Sequence, residues 1–154
     1  MPLDTAGDID IAAIFANAPG FLRTLGPTLV SVDDTTAVLR LDAGPALHNH
    51  VGGPHAAALF GLGELAAFAL LLRVFGEEVK SGGVPFIRTG EISYQALVVE
   101  PVIATARIVD DVEEIRARYA ERGSASFGCE VVFTLESSDT QTTVMRPQMT
   151  LKRL

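Results

Sequence analysis

"HNHVGGPHAAALFGLGELAAFALLLRVF", residues 48–75, holds all three histidines of the chain, passes a Gly-Gly-Pro turn, and then runs apolar to Phe75 with Glu64 and Arg73 as its only charges. Pro54 stands where a first-turn proline is favoured, and the Ala, Leu, Phe and Gly that follow predict a helix from about 54 to 75. Such a helix is apolar on nearly every side, so other structure must wrap it. Glu64, Arg73 and the opening His55 argue for a buried core helix over a membrane span. No other segment matches it in length and hydrophobicity, and it is read as the centre of the fold.

The flanking segments supply the wrapping. Upstream, Asp8 or Asp10 is placed to cap a short packing helix carrying Ile11, Ile14 and Phe15, ended by Pro19-Gly20. Leu29, Val30 and Val32, a turn at Asp33-Asp34, and Ala37, Leu39 and Leu41 read as a strand pair or one bulged strand. A loop from Ala43 to Pro54 leads into the helix. Beyond a turn at Ser81 to Gly83, residues 84–111 are rich in Val, Ile, Tyr and Thr and read as two long strands broken at Pro101. "VEEIRARYAERG" switches to a helical period and stops at Gly123. Two last strands flank the Ser-Ser-Asp turn, the final one alternating imperfectly through Val144, Pro147, Met149 and Leu151. No internal repeat, low-complexity segment or linker is visible. The expected class is α+β: one curved antiparallel sheet around one long helix, as a single domain over 1–154.

Composition narrows the partners. A chain of 154 residues is long enough to bury about two-thirds of its unfolded surface. Nineteen acidic against twelve basic residues give a net charge of −7, which repels phosphate backbones and anionic membranes, so neither nucleic acid nor membrane is expected as a partner. The single cysteine, Cys129, reads as a small buried hydrophobe. The acidic start "MPLDTAGDID" lacks the pattern of a secretory signal, and a reducing, cytoplasmic setting is the expectation.

The element order, taken with Asn49 six residues before His55 and Glu64 nine residues after it, resembles the hotdog-fold thioesterases, in particular the phenylacetate-pathway type and its relatives. "ISYQAL" at 92–97 is similar to the strand segment these proteins carry after the helix. The resemblance covers the chain from about residue 28 onward. It implies a hydrolase of acyl thioesters, acyl-CoA as substrate, no cofactor, and a homodimer or a dimer of dimers (homotetramer) with shared sites. Two departures are plain: Ala56-Ala57 replaces the usual Gly-Gly, which narrows the approach to the site, and the acid is Glu where Asp is commoner.

Helix geometry agrees on the dimer. At ~1.5 Å per residue, His55 and Glu64 lie roughly 13 Å apart along one axis, too far to act on one carbonyl. Two such helices packed antiparallel about a two-fold axis would bring Glu64 of one chain to Asn49, His55 and Ala56 of the other. Acyl transfer then assigns roles. The free N–H near Ala56 forms an oxyanion hole, Glu64 activates water or attacks the carbonyl, Asn49 orients the thioester or the water, and His55 fixes the loop. Phe60, Leu59 and Phe68 are candidates to line an acyl tunnel, Ser93 and Tyr94 to approach the site, and Arg88 to meet a carrier phosphate, as Arg107, Arg116 and Arg118 also could.

Plainer readings stand beside these. Glu64 could be a structural acid held by Arg73 or Arg88. The three histidines and an acid form a conceivable metal set, but Glu64 lies fourteen residues past His50 on a helix, so no metal is expected. The glycines of "GLG" at 61–63 read as close helix packing. Two other functions share the fold: a hydratase or dehydratase using His and acid on one substrate, and a catalytically silent acyl-binding protein, which Ala56-Ala57 favours.

Overall fold

The computed structural model describes residues 8–154, so "MPLDTAG" at the start of the chain lies outside the described residues. Asp10 caps helix α1 (Ile11–Asn17), its Oδ1 accepting from Ala13 N–H at 2.9 Å. α1 stops just before Pro19-Gly20 as the sequence predicts, and a second short helix, α2 (Gly20–Leu25), which the sequence reading lacks, follows directly. Strands β1 (Thr28–Val32) and β2 (Ala37–Leu41) pair across a turn in which Asp33 Oδ1 accepts from Thr35 and Thr36 N–H, both at 2.8 Å. Those bonds hold the Asp33 carboxyl down to about 2. A bulge between Leu29 and Ser31 leaves Val30 exposed, which is why the apolar alternation there breaks.

The long helix α3 spans Ala56–Val74, with His55 as its cap, so Pro54 lies two residues before the first helical position and not in the first turn. It carries no exposed polar face: Leu62, Ala66, Ala67, Leu70 and Leu71 are fully buried. It is long and apolar enough to cross a membrane by length and composition, and here the sheet covers most of it. A short helix α4 (Gly76–Lys80) continues it before β3 (Gly83–Tyr94). Next come β4 (Val102–Ile108), α5 (Val112–Arg122), β5 (Ser124–Leu135) and β6 (Gln141–Arg153).

The six strands form one curved sheet in the order β1-β2-β4-β5-β6-β3, every neighbour antiparallel. The two long strands after the helix are therefore not partners. β3 crosses to pair with β6 and is left as an edge, while β4 joins β2 and β5. The imperfect alternation of β6 has a cause in that order. Thr142 and Thr143 are buried, and the loop after β3 lies against them, with Gln95 and Ala96 N–H both donating to Thr142 C=O.

The helix meets the sheet through Gly63 and helix α2 through Gly61. A Cβ at Gly63 would come 2.5 Å from Met145 Sδ and 3.0 Å from Phe133 Cζ, both residues fully buried. One at Gly61 would come 2.8 Å from the Phe21 ring, but Phe21 is 58% exposed and can swing away. Gly63→Ala is accordingly expected to cost about 1–3 kcal/mol by overpacking. In Gly61→Ala the gain of up to about 1 kcal/mol in helix propensity offsets the shift of one surface ring. Urea unfolding of the two variants checks the ranking.

Candidate active site

The loop entering α3 is held by its own polar groups. Asn49 Oδ1 accepts from Val51 N–H at 2.9 Å and Gly53 N–H at 3.2 Å, and its Nδ2 donates to Pro54 C=O at 3.3 Å. The Asn49 backbone N–H adds a 2.7 Å bond to Gly53 C=O. This is an Asx-type turn closed from both sides. It occupies the Asn49 amide with the loop, so the structure gives that side chain a bracing position rather than one aimed at a substrate.

His55 likewise serves the backbone. Its Nδ1 accepts from Ala57 N–H at 3.0 Å, capping α3, and its own N–H donates to Leu47 C=O at 2.7 Å. With Nδ1 as acceptor, the neutral ring carries its proton on Nε2. Of the early N–H groups of the helix, Ala57's is consumed by this cap, and Ala56 N–H has no partner among the described residues. Ala56 is exposed, so that donor and the positive end of the helix dipole face outward.

Tyr94, at the end of β3, donates its hydroxyl to Ala56 C=O at 2.9 Å and ties the strand to the helix start; burial pushes its own ionisation up. Ser93 precedes it on a strand where neighbouring side chains alternate, and so projects to the opposite face, away from the helix. Of the two strand residues expected to approach the site it is Tyr94 that does, sharing period-two spacing with Ile92, which packs on the core.

Glu64 is half-buried, and among the described residues it has no hydrogen bond and no ion pair. The cations that would make it a structural acid are engaged elsewhere. Arg73 bonds Asp34 at 2.9 Å and lies 3.7 Å from Asp8, and Arg88 donates to Ser126 Oγ at 3.4 Å on the outer side of the sheet. Desolvation without a counter-charge pushes the Glu64 carboxyl above its ordinary value.

Phe60, Glu64 and Phe68 recur every four residues, all partly buried, and form a stripe along α3. Leu59 is turned from it into the core, 5% exposed. β3 flanks the stripe, since a Cβ at Gly90 would come 2.8 Å from Phe60 Cζ. The stripe of α3 and the free edge of β3 thus lie side by side and uncovered. The histidines do not converge: His48 Nε2 bonds Ala43 C=O at 2.9 Å, and among the described residues no three His, Cys, Asp or Glu side chains group at metal-binding spacing. Cys129 is buried and its thiol pushed up to about 12.

A family model described as "Domain of unknown function (DUF4442)" matches residues 8–152. No curated protein matches the chain significantly. Among solved structures, a protein of unknown function from Pseudomonas aeruginosa, called a "Probable Thioesterase", is 22% identical, with a TM-score of 0.78 over 92% of this chain and 93% of its own. A protein of unknown function from Chlorobaculum tepidum is 14% identical with a TM-score of 0.81, covering 94% and 93%. Zebrafish thioesterase superfamily member 2 is 17% identical with a TM-score of 0.69, covering 90% and 93%. The fold they share with this chain is the hotdog, a curved antiparallel sheet wrapped around one long helix.

Proposed function

The chain belongs to the DUF4442 family, and from that premise we propose that it hydrolyses acyl thioesters, of the coenzyme A class, at a site shared between two copies of the chain. The observation that carries this is Glu64, an unpartnered carboxylate set in the half-buried apolar stripe of Phe60 and Phe68. An acid left without a counter-ion in such surroundings is costly and is best explained by chemistry. The thioesterases among the similar folds support the reaction class.

A second copy related by a two-fold axis would cover the α3 stripe and the β3 edge together, and would bring its own Ala56 N–H toward Glu64. The Glu64 carboxylate takes a proton from water as the water oxygen attacks the thioester carbonyl. Negative charge gathers on the carbonyl oxygen, where the outward Ala56 N–H and the helix dipole receive it. Collapse of that intermediate breaks the C–S bond, and the departing thiolate takes up the proton. His55 and Asn49 hold the loop that presents Ala56.

A second reading has one observation in its favour. Ala57 N–H is spent on the His55 cap, which leaves a single free donor at the helix start, and an acyl-binding protein without turnover needs no more. Acyl-CoA esters of varied chain length, followed by release of free thiol, separate the two. Turnover that disappears in Glu64→Gln supports hydrolysis. Thermal stabilisation by the ester with no thiol released supports silent binding.

A further inference from the structure

Six of the twelve basic residues, Arg40, Arg73, Lys80, Arg116, Arg122 and Arg146, lie within ion-pair distance of a carboxylate. In a chain with seven more acids than bases, that pairing is unsurprising. Of the other six, Arg23, Arg88, Arg107, Arg118, Lys152 and Arg153, three come together. Arg88 on β3, Lys152 on β6 and Arg118 on α5 have no carboxylate partner among the described residues, and all three gather around Ser126.

The site is a groove of about 410 Å³ on the outer side of the sheet, lined by Phe86, Arg88, Ser124, Ser126, Thr150 and Lys152, with Leu154 at its rim. Among the described residues, no Asp or Glu side chain lines it. Its polar groups are already organised: Arg88 Nη1 donates to Ser126 Oγ at 3.4 Å, Ser126 Oγ lies 2.7 Å from Thr150 Oγ1, and Arg118 Nη2 donates to Ser126 C=O at 3.1 Å. Strand pairing sets this order, because Ser126 and Phe86 both register with Thr150, and Ser124 registers with Lys152. Alternation does the rest. Ala125, Phe127, Met149 and Leu151 between them are buried on the helix side, so the hydroxyls and cations are left together on the other.

We propose that this groove binds the phosphate groups of a nucleotide, with the base resting against Phe86. Two cations flanking a pair of hydroxyl donors match a phosphate ester, which accepts several hydrogen bonds and carries charge that the remaining surface repels. Phe86 is 43% exposed within the same groove and offers a ring face to a base. An anion bound only by charge would have no use for it. The groove and the α3 stripe lie on opposite sides of β3, with Gly90 against Phe60 and Arg88 two residues earlier facing the groove. The binding itself is independent of the hydrolytic reading. Only the identity of the natural ligand as coenzyme A, whose far end is such a nucleotide, rests on it.

Calorimetric titration of the full chain with adenosine 3′,5′-bisphosphate is the test. Saturable binding is expected, weakening as salt rises and falling at least about tenfold in the Arg88→Gln/Lys152→Gln double variant. Adenosine without phosphate should not bind. Ser126→Ala removes the hydroxyl at the centre while leaving every charge in place, and should also weaken binding; it serves if the double variant does not fold. Absence of saturable binding, or a folded double variant that binds as the wild type does, overturns the site. Inorganic phosphate binding as tightly as the nucleotide overturns the role given to Phe86. Glu64→Gln should bind the nucleotide unchanged, so loss of hydrolysis and loss of the groove are read separately.

Discussion

Replacing Glu64 with glutamine should lower thioester hydrolysis about 10²–10⁴-fold, the range a positioned general base contributes, while the protein melts at or above the wild-type temperature at neutral pH. The two effects have one cause. Burial without a partner raises the Glu64 carboxyl above its ordinary value, so the charged form is less favourable in the folded chain than in the unfolded one. The sign follows: the stability this group contributes is fully present below its unfolded pKa and is lost as pH rises through the raised folded value. Near neutrality the wild type therefore holds an ionised acid at a cost, which the isosteric amide removes. Activity runs the opposite way with pH, because the base must be ionised: kcat/KM should rise through a pKa above that of a free carboxylate. A variant that is both inactive and less stable than wild type at pH 7 would point to a structural acid instead, and pH-independent hydrolysis would remove Glu64 from the chemistry.

What the sequence made legible follows from the scale of each signal. The apolar run up to Phe75 could only be a wrapped helix, and α3 lies within two residues of the expected bounds. The helices α2 and α4, six and five residues long, are too short for a 3.6-residue period to register, and both went unread. The crossing of β3 to the far side of β6 was hidden for a different reason. Periodicity identifies strands but not their neighbours, and only the completed sheet leaves β3 at an edge. Within the site, spacing singled out Asn49, His55 and Glu64, but it could not say which of them had spare hydrogen-bonding capacity. Asn49 spends both ends of its amide on its own loop and His55 spends Nδ1 on a cap, whereas Glu64 spends nothing. Arg88 and Arg118 are both expected from sequence to be able to meet a phosphate; that Lys152 joins Arg88 depends on pairings between distant strands that no local pattern reports.

The loop that presents Ala56 rests on a contact as tight as any in the molecule, and Gly53→Ala should be the most damaging single methyl added to this chain. A Cβ at Gly53 would sit 1.8 Å from the Val98 carbonyl oxygen and 2.9 Å from its carbonyl carbon. Both obstacles are backbone, so no side chain can rotate away. Neither loop can yield cheaply. Val98 is 4% exposed, and its segment is anchored where Gln95 and Ala96 donate to Thr142. On the other side, Gly53 is clasped by both the amide and the backbone of Asn49, and His55 is tied to Leu47. Separating the two loops costs about 3 kcal/mol or more, at the upper end of overpacking, and lowers the melting temperature by roughly 10 °C for a chain of this length. It also displaces Ala56, so turnover should fall even at temperatures where the variant stays folded. Gly52 supplies the control. Its φ of +84° makes any side chain strained, at about 1–2 kcal/mol, but among the described residues beyond its own chain neighbours no atom lies within 4 Å of the Cβ it would gain. Gly52→Ala should therefore be the milder change in both melting temperature and turnover. The reverse ranking would mean that backbone conformation, and not the pressing of this loop against Val98, sets the position of the helix start.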